Sequence, residues 1–546
     1  MEIKNKLYIL AFGLIFIFIN LYIISKNNKY FRNNPSSKNY DIDDNGTVEI
    51  EDELDNGTFE IESELDNDTF EIKNELNDDT FEIENELDNG TFEIEDEITD
   101  STVEFEDKLK NILINNVIND INIPRGFEVI KELRRNTEIH SFLWNSIFGR
   151  YNDKKYENNL ENYKTAIMNY TSFLTKEKNN LDSLSNEIKL FISLHQSLYS
   201  WLYHFKYNSF GDLIKSFKGK GLVICVGDKY FNYARSTIDN LRNIIKSEIP
   251  IEIFYNGEDD LSEDRRKILK EYDNVYLSDL SKYFDKSILQ LEKFAIKPFS
   301  VLASRFEEVI LIDADTVYLR DPLKFFNDPG YLKKGTLFFE DRRFKESMFD
   351  SYKWFKKWIT NPLPETKKLR IWNEKTTDQM ESSTVVIHKS KTILGLLATC
   401  KLNELKYRPI VKDHIYGDKE TFWLGFDMAR QPYYFNPLRP VFIAKVDNIN
   451  TNTTRFCGHI GHRSKDNKFM YWNGHLIKDK ESDNPELIDF NTFVYDTDNV
   501  EWKDNLCGEL PNKQFKKVNR PFNKYENKVF KSILNNEKKH HFVLQN

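Results

Sequence analysis

The stretch Glu307-Glu-Val-Ile-Leu-Ile-Asp-Ala-Asp-Thr-Val-Tyr-Leu-Arg-Asp321 decides the fold of this chain. Within it, Val309–Ile312 is a run of four apolar, mostly β-branched residues. Such a run predicts a strand that is buried on both faces of a parallel sheet. The run ends at two carboxylates, Asp313 and Asp315, on either side of Ala314. Because ligands of open α/β sheets bind beyond the carboxyl ends of the strands, this pair is the first candidate binding site.

The spacing of the two carboxylates indicates a metal site. Side chains at positions i and i+2 of an extended chain point to the same side, so Asp313 and Asp315 can converge on one point. Two converging carboxylates suit a hard divalent cation, Mg²⁺ or Mn²⁺, that carries a substrate diphosphate. A solvated acidic turn after a strand is the alternative, and an isolated Asp-x-Asp does not distinguish the two.

Charge is distributed unevenly along the 546 residues, a length that predicts two or three parts rather than one core. Residues 41–107 contain 29 of the 88 acidic residues and only one of the 77 basic residues, Lys73. The rest of the chain is therefore mildly basic although the formal net charge is −11. A basic folded part suits an anionic substrate such as a nucleotide sugar. No block of Lys and Arg interleaved with aromatic residues is present, which argues against nucleic-acid binding.

The N-terminal residues predict a membrane anchor. Leu7–Ile24 contains no charged residue, and eighteen helical residues rise about 27 Å, enough for a thin bilayer. The following Ser25–Asn28 offers no small-residue cleavage site, so a retained signal anchor is expected. Six Asn-x-Thr sequons, a pattern of lumenal segments, open at Asn45, Asn56, Asn67, Asn89, Asn169 and Asn452. Residues 1–6 are therefore expected to be cytoplasmic, and everything after the span lumenal.

Residues 25–109 are predicted to form a disordered acidic stalk. Residues 44–109 hold six copies of an eleven-residue unit, approximately Asp-Asn-Gly-Thr-Phe-Glu-Ile-Glu-x-Glu-Leu. Most units open with a turn signal, and the near-uniform negative charge opposes compact packing. A Ca²⁺-binding acidic repeat is the alternative, but the repeat lacks the glycine-spaced ligand loop of such sites.

Two further changes of pattern divide the remaining chain. In residues 110–217 apolar residues recur at helical spacing, as in Leu184, Ile188 and Phe191, which predicts a helical region packed onto the next domain. From Gly219 onward strand and helix patterns alternate, which predicts an α/β domain with a mostly parallel sheet and flanking helices. No Gly-x-Gly-x-x-Gly follows the first strand, so a dinucleotide-binding enzyme is disfavoured.

The cysteines leave their pairing open. Cys225, Cys400, Cys457 and Cys507 allow three pairings if all are oxidised. None belongs to a Cys-x-x-Cys motif, which argues against structural zinc. Cys225 lies in an apolar strand and is interpreted as a buried free thiol.

Seven separated motifs occur in a fixed order between about residues 219 and 480. They are Cys225–Arg242, Lys297–Asp315, Arg320–Pro322, Gly335–Arg342, Gln379–Lys389, Tyr416–Leu424 and Tyr471–Gly474. This ordered set resembles the fungal alpha-1,3-mannosyltransferase family, which are Golgi type II membrane enzymes. One departure is His475, where the resemblance predicts a second glycine after Gly474.

The resemblance implies both a fold and an activity. Residues 218–482 are expected to form a GT-A (Rossmann-like) glycosyltransferase domain, followed by a C-terminal extension at residues 483–546. The implied activity is a retaining transfer of mannose from GDP-mannose to mannose-terminated N- or O-linked glycans. Mn²⁺ or Mg²⁺ is the implied metal, bound at the Asp-x-Asp.

The implied metal site needs ligands beyond one carboxylate. Asp313 and Asp315 are expected to bind the cation and, through it, the diphosphate. A third ligand is usual in such sites, and His462 is the first candidate, with His459 and His475 as the others.

Further residues are candidates for the donor and sugar sides. Arg235 and Lys297 follow or precede strand ends and are candidates for nucleotide phosphate or ribose. By resemblance, Glu381, Asp418 and Glu420 line the sugar and acceptor side as catalytic carboxylates. The alternative interpretation is that all five are ordinary charged residues at surface positions on helices. A retaining transfer proceeds through a covalent glycosyl intermediate or by attack on the same face; we favour same-face attack, in which the leaving phosphate takes the acceptor proton.

Two other functions remain open at this point. One is a GT-A enzyme with a UDP-sugar donor. The other is a non-catalytic lumenal scaffold built on a degenerate transferase domain, which the acidic stalk would suit. The intact Asp313 and Asp315 argue against the scaffold, because a lapsed site has no physical reason to keep two converging carboxylates.

Overall fold

A computed structural model describes residues 127–149, 159–171, 173–175, 184–203, 205–344, 350–449, 452–477, 486–502 and 506–541. All of them belong to one unit, residues 97–546. The predicted anchor at 7–24 and the predicted stalk at 25–109 lie outside the described residues. Among the described helices, none combines the length and the apolar character needed to cross a bilayer.

Helices come first in the described chain, then alternate with strands, and strands dominate after residue 440. The helices are α1 (Phe127–Phe148), α2 (Leu160–Tyr170), α3 (Asn186–Leu198), α4 (Phe210–Ser216), α5 (Phe231–Asp239), α6 (Glu263–Lys270), α7 (Lys286–Leu289), α8 (Ile296–Ala303), α9 (Pro329–Lys334), α10 (Ser351–Trp358), α11 (Pro364–Lys367), α12 (Lys389–Leu402), α13 (Arg408–Lys412), α14 (Lys419–Met428), α15 (Asn512–Val518) and α16 (Lys524–His541).

The strands fall into two sheets. They are β1 (Lys220–Cys225), β2 (Ile251–Tyr255), β3 (Val275–Asp279), β4 (Glu308–Ile312), β5 (Thr316–Tyr318), β6 (Thr336–Glu340), β7 (Met380–His388), β8 (Val441–Ile449), β9 (Thr453–Arg463), β10 (Phe469–Asn473), β11 (Thr492–Tyr495), β12 (Glu501–Trp502), β13 (Cys507–Pro511) and β14 (Asn519–Pro521).

The first sheet has six strands in the order β3-β2-β1-β4-β7-β6. The four strands from β3 to β4 are parallel neighbours. Strand β7 is antiparallel to both of its neighbours, β4 and β6. The remaining five strands of the sheet therefore all run in the same direction. This arrangement confirms the predicted α/β class with a mostly parallel sheet.

Strand β4 is buried on both faces, as its apolar run predicts. Val309 and Leu311 belong to one hydrophobic core, and Ile310 and Ile312 belong to the core on the opposite face. All four are at most 1% exposed. Full burial of such side chains contributes roughly 1.5–3 kcal/mol each, so the sequence of β4 accounts for its central place.

The N-terminal helices share the first of these cores. Three aromatic residues cluster with Leu311 of β4: Trp144 of α1, Phe210 of α4, and Trp201 between α3 and α4. An ion pair also joins α1 to α14, because Arg134 Nη1 lies 2.7 Å from Asp427 Oδ1. The helical region thus packs on one face of the first sheet.

The second sheet combines residues from the predicted transferase domain and from the predicted C-terminal extension. Its strands run in the order β12-β13-β9-β8-β11-β14, and β10 joins it by pairing with both β9 and β5. A disulfide between Cys457 of β9 and Cys507 of β13 links the two parts. Cys225 and Cys400 are free thiols.

Candidate active site

The Asp313–Asp315 segment connects the two sheets. Strand β4 ends at Ile312 in the first sheet, and β5 begins at Thr316 in the second. The Asp313 amide donates to the carbonyl of Ser383 at 2.9 Å, and the Thr316 amide donates to the carbonyl of Asp313 at 3.1 Å. Backbone hydrogen bonds therefore fix the segment at the carboxyl end of β4, where the sequence predicts the site.

Lys297 is the cation of a buried charge cluster at this point. Its Nζ lies 2.5 Å from Asp313 Oδ1 and 3.6 Å from Asp418 Oδ1. Burial opposes its charge, but the carboxylates of Asp313 and Asp418 outweigh burial and raise the pKa of Lys297. The ammonium therefore stays charged between two acidic side chains.

The carboxylates of the cluster are not fully neutralised. Burial raises the pKa of Asp313 to about 6; Lys297 opposes this shift, and repulsion from Asp315 adds to it. Asp418 Oδ2 is buried and accepts no hydrogen bond from the described residues. Asp313 and Asp418 thus share one ammonium group, the charge of Asp315 acts on Asp313, and Asp418 Oδ2 has no partner among the described residues. An excess of carboxylate oxygens fits Mn²⁺ or Mg²⁺, which prefer oxygen ligands.

The three candidate histidines occupy different surroundings. His462 is buried with Nε2 3.7 Å from Glu381 Oε2, and neither ring nitrogen has a hydrogen-bond partner among the described residues. Burial lowers the pKa of His462 to about 3, so its neutral ring retains a lone pair for a metal. The ring of His475 instead contacts Glu537, with Nδ1 2.7 Å from Oε1. His459 packs edge-on against a phenylalanine ring at 5.4 Å.

Glu381 lies on β7 beside these groups. Its Oε1 accepts hydrogen bonds from the Ser383 amide at 2.8 Å and from Asn473 Nδ2 at 3.2 Å. Burial raises the pKa of Glu381 to about 7, and repulsion from Asp341 and Asp313 adds to the shift. The structure thus brings Glu381 into electrostatic contact with Asp313.

The titration of Glu381 predicts a pH-dependent stability. The folded-state pKa, about 7, exceeds the ordinary value of 4.5, so the folded state binds more protons between these values. The free energy of unfolding should therefore fall as pH rises from about 4.5 to about 7, by on the order of 3 kcal/mol. Glu381→Gln should remove the part of this slope that Glu381 contributes, which urea titrations at several pH values would measure. An unchanged slope in the variant would contradict the assignment.

Glu420 ties α14 to the start of β7. Its Oε1 accepts the amides of Gln379 and Met380 at 2.8 and 3.1 Å, and its Oε2 accepts the indole N–H of Trp423. Both carboxylate oxygens of Glu420 thus have hydrogen-bond donors inside the protein.

We expect Glu420→Ala to act mainly on stability. The substitution leaves buried amide and indole donors without acceptors, which costs about 1–3 kcal/mol for each such group. Urea titration should show the loss, and the exposed Glu263→Ala should show none. A variant with normal stability and a large loss of kcat would instead make Glu420 a residue that touches substrate.

The structure does not bring Arg235 to the charge cluster through any described contact. Its guanidinium lies 5.4 Å from the ring of Phe231, and it hydrogen-bonds Tyr272. The sequence prediction for Arg235 therefore gains no geometric support from the described residues.

Two charged residues that the sequence reasoning missed lie near the site. Lys419 Nζ is 3.0 Å from Asp341 Oδ2 and 2.7 Å from Asp378 Oδ1. Asp341 in turn raises the pKa of Glu381. Both lie inside quoted motifs, Gly335–Arg342 and Tyr416–Leu424, but only the fold shows that they meet.

An exposed aromatic pair flanks the cluster. The side chains of Phe294 and Tyr416 are 40% and 62% exposed, and their ring centroids are 6.1 Å apart. Lys297 Nζ lies 5.6 Å from the centre of the Phe294 ring. The pair therefore borders the buried charges on the solvent side.

Among solved structures, the chain is similar to the galactosyltransferase LgtC, with 12% identity and a TM-score of 0.28 over 39% of this chain and 72% of that one. It is also similar to the mannosyltransferase Ktr4p from Saccharomyces cerevisiae in complex with GDP, with 10% identity and a TM-score of 0.27 over 53% and 81%. At these scores the similarities carry no conclusion about this chain.

Sequence relatives are more informative. The putative alpha-1,3-mannosyltransferase MNN14 of Candida albicans is 28% identical over 253 residues, 42% of this chain and 36% of the relative. The alpha-1,3-mannosyltransferase MNT2 of Saccharomyces cerevisiae is 25% identical over 295 residues, 47% of this chain and 52% of the relative. The chain thus spans about half or less of the length of these relatives.

The match to a family model covers the candidate site. The model is described as "Mannosyltransferase putative" and matches residues 219–464, which include Lys297, Asp313, Glu381 and Asp418. The predicted family resemblance is confirmed over residues 219–464, which match the mannosyltransferase family model.

Proposed function

We propose that the protein is a retaining glycosyltransferase with a GT-A fold. It transfers mannose from GDP-mannose to mannose-terminated N- or O-linked glycans in alpha-1,3 linkage, with Mn²⁺ or Mg²⁺. The observation that carries this proposal is the buried Lys297–Asp313–Asp418 cluster at the carboxyl end of β4, inside the family-matched residues. An over-acidic, oxygen-rich site of this kind suits a cation with a diphosphate.

Asp313 and Asp315 are the residues that would hold the metal. When bound there, a divalent cation supplies Lewis-acid stabilisation of the charge on the leaving diphosphate. Lys297 fixes Asp313 through their 2.5 Å contact and adds positive charge on the protein side. His462, buried with both ring nitrogens unpaired among the described residues, is the proposed third ligand.

Glu381 and Asp418 would orient the mannose. Asp418 Oδ2, which has no partner among the described residues, offers an acceptor for a sugar hydroxyl. A sugar that supplies this hydroxyl would be favoured over one that leaves the buried oxygen without a donor. In same-face attack the protein contributes orientation more than covalent chemistry. The leaving phosphate itself takes the proton of the acceptor hydroxyl.

A donor comparison tests the proposal. The purified full chain would receive Mn²⁺, a mannose-terminated acceptor and either GDP-mannose or one of several UDP-sugars, and acceptor mass would be measured. Transfer from GDP-mannose alone, lost on chelation, is the expected result. Transfer from a UDP-sugar would replace GDP-mannose as the donor. The absence of both transfer and donor hydrolysis with every donor would favour the non-catalytic scaffold.

We also propose a Golgi location, with the catalytic part in the lumen and one N-terminal span. The Cys457–Cys507 disulfide supports a lumenal location, because disulfides form and persist in the secretory pathway and are rare in the cytosol. Protease protection of the C-terminal part in intact Golgi vesicles would test this topology. Digestion without detergent would overturn it.

The exposed aromatic pair predicts an effect on the acceptor. Removing the ring in Tyr416→Ala should raise KM for the glycan acceptor about tenfold with little change in kcat, because amphipathic aromatic faces bind ligands that have both apolar and polar edges. Tyr416→Phe should retain wild-type KM. Tyr276→Ala, a second exposed tyrosine, serves as control; equal KM values in Tyr416→Ala and the wild type would exclude the contact.

A further inference from the structure

The C-terminal helix α16 reaches the back of the Asp313–Asp315 segment through His475. The imidazole Nε2 lies 3.4 Å from the carbonyl oxygen of Ala314, and Nδ1 lies 2.7 Å from Glu537 Oε1 on α16. The hydroxyl of Thr237 donates to the same Ala314 carbonyl at 2.8 Å. Two side chains, those of Thr237 and His475, therefore contact the Ala314 carbonyl, and Glu537 of α16 in turn contacts His475.

The backbone of His475 indicates that its side chain is needed. Its φ is 55°, in the left-handed region that favours glycine, and the family resemblance also predicts glycine there. The side chain is fully buried, and the His475 amide donates to the Asp315 carbonyl at 3.1 Å. His475 thus keeps a strained backbone conformation and contacts the Asp313–Asp315 segment through both its amide and its imidazole. Strain of this kind at a non-glycine residue indicates a role at the site.

Glu537 is itself fixed by neighbouring contacts. Ser236 Oγ donates to Glu537 Oε1 at 2.6 Å, and Asn536 Nδ2 donates to the Ser236 carbonyl at 2.9 Å. Further along the same helix, His540 Nε2 lies 2.6 Å from Asp239 Oδ2 of α5. These contacts dock α16 on α5, and the Glu537–His475 contact continues from there to the Asp313–Asp315 segment.

We propose that Glu537 and His475 are positioning residues that hold the Asp313–Asp315 segment in its metal-binding conformation. The metal affinity of the family domain then depends on a helix that lies outside residues 219–464. This inference rests on the proposed function, and it concerns how the site is kept in shape. Residues that orient metal ligands typically change metal affinity 10- to 100-fold when removed.

The test measures Mn²⁺ binding to the full chain by calorimetry, without donor or acceptor. His475→Gly removes the imidazole and suits the backbone conformation, and Glu537→Ala removes the support on α16. Both should raise the Kd for Mn²⁺ about tenfold. The matched control is His540→Ala, which removes a buried histidine contact of the same helix without touching the segment, and its Kd should stay within about twofold of wild type. Glu537→Gln keeps an acceptor oxygen for Ser236 and should restore most of the affinity.

If the α16 variants fold poorly, a further variant still tests the inference. Thr237→Val preserves side-chain volume and removes the hydroxyl that lies 2.8 Å from the Ala314 carbonyl, 3.1 Å from the Thr316 carbonyl and 3.3 Å from His475 Nε2, and it should also weaken Mn²⁺ binding. A merely structural role would lower the melting temperature and leave the Kd of the folded protein unchanged.

Three results would overturn the inference. The first is wild-type Kd values in His475→Gly and Glu537→Ala, and the second is equal weakening in His540→Ala. The third is a second equivalent of bound metal that is lost in Glu537→Ala. Because the ligand atoms of His475, Glu537 and His541 lie within 4.8 Å of one another, that result would make these residues metal ligands. A wild-type protein that binds Mn²⁺ but transfers no mannose would refute the proposed function and leave this comparison valid.

Discussion

Replacing Asp313 and Asp315 together by asparagine is expected to lower mannosyl transfer by about 1,000-fold or more. The amides carry no charge, so the site loses the charge that attracts a divalent cation. Metal stabilisation of the leaving group is worth several kcal/mol, and about 1.4 kcal/mol corresponds to each tenfold in rate. Transfer rate and Mn²⁺ affinity should be measured on the same preparation.

The matched control for this variant is Asp466→Asn. Asp466 is a half-exposed carboxylate in a turn, 2.7 Å from Lys468 Nζ, so its neutralisation should change neither rate nor Mn²⁺ binding. Transfer at a wild-type rate by the asparagine double variant would refute the metal assignment. Loss of both transfer and folding would be recognised by circular dichroism.

Asp427→Ala is expected to have the largest effect on stability, a loss of about 3–5 kcal/mol. Asp427 is fully buried and 2.7 Å from Arg134 Nη1. It also accepts the Leu363 amide at 2.8 Å and the hydroxyl of Thr366. Its removal takes one carboxylate from the buried guanidinium of Arg134, which keeps Glu138 at 3.0 Å. It also leaves the Leu363 amide and the Thr366 hydroxyl without this acceptor. Urea unfolding followed by tryptophan fluorescence would measure the loss.

A double variant separates the charge from the packing. Arg134→Met together with Asp427→Leu replaces the pair by apolar side chains, which is often close to neutral for a buried ion pair. This double variant should therefore be more stable than Asp427→Ala. If the two are equally unstable, the Leu363 and Thr366 hydrogen bonds, rather than the ion pair, explain the loss.

The central strand and its acidic end could be predicted because their signal is local. Four consecutive apolar residues, Val309–Ile312, require burial on both faces, and the two carboxylates that follow are adjacent in sequence. Lys297 was predicted as a basic group near a strand end, although its main contact is a carboxylate, Asp313, at 2.5 Å. The charge of Lys297 thus serves the acidic pair directly.

The second sheet could not be predicted because its pairings are distant in sequence. Strand β5 has three residues and is completed by β10, with Val317 opposite Trp472. No local pattern specifies such a partner. For the same reason the contact of Lys419 with Asp341, and the internal hydrogen bonds that occupy Glu420, emerged only from the fold.

The position of the Asp313–Asp315 segment between two sheets has a consequence for biosynthesis. The strands on its N-terminal side pair with each other early, but β10 and α16, which hold it from the other side, are translated much later. Domains fold as the chain emerges at about 5–20 residues per second. The nascent protein should therefore pass through a stage in which the first sheet is largely formed and the proposed metal site is still incomplete. Ribosome-arrested chains that end at residue 482 should bind Mn²⁺ at least about tenfold more weakly than released full-length chains.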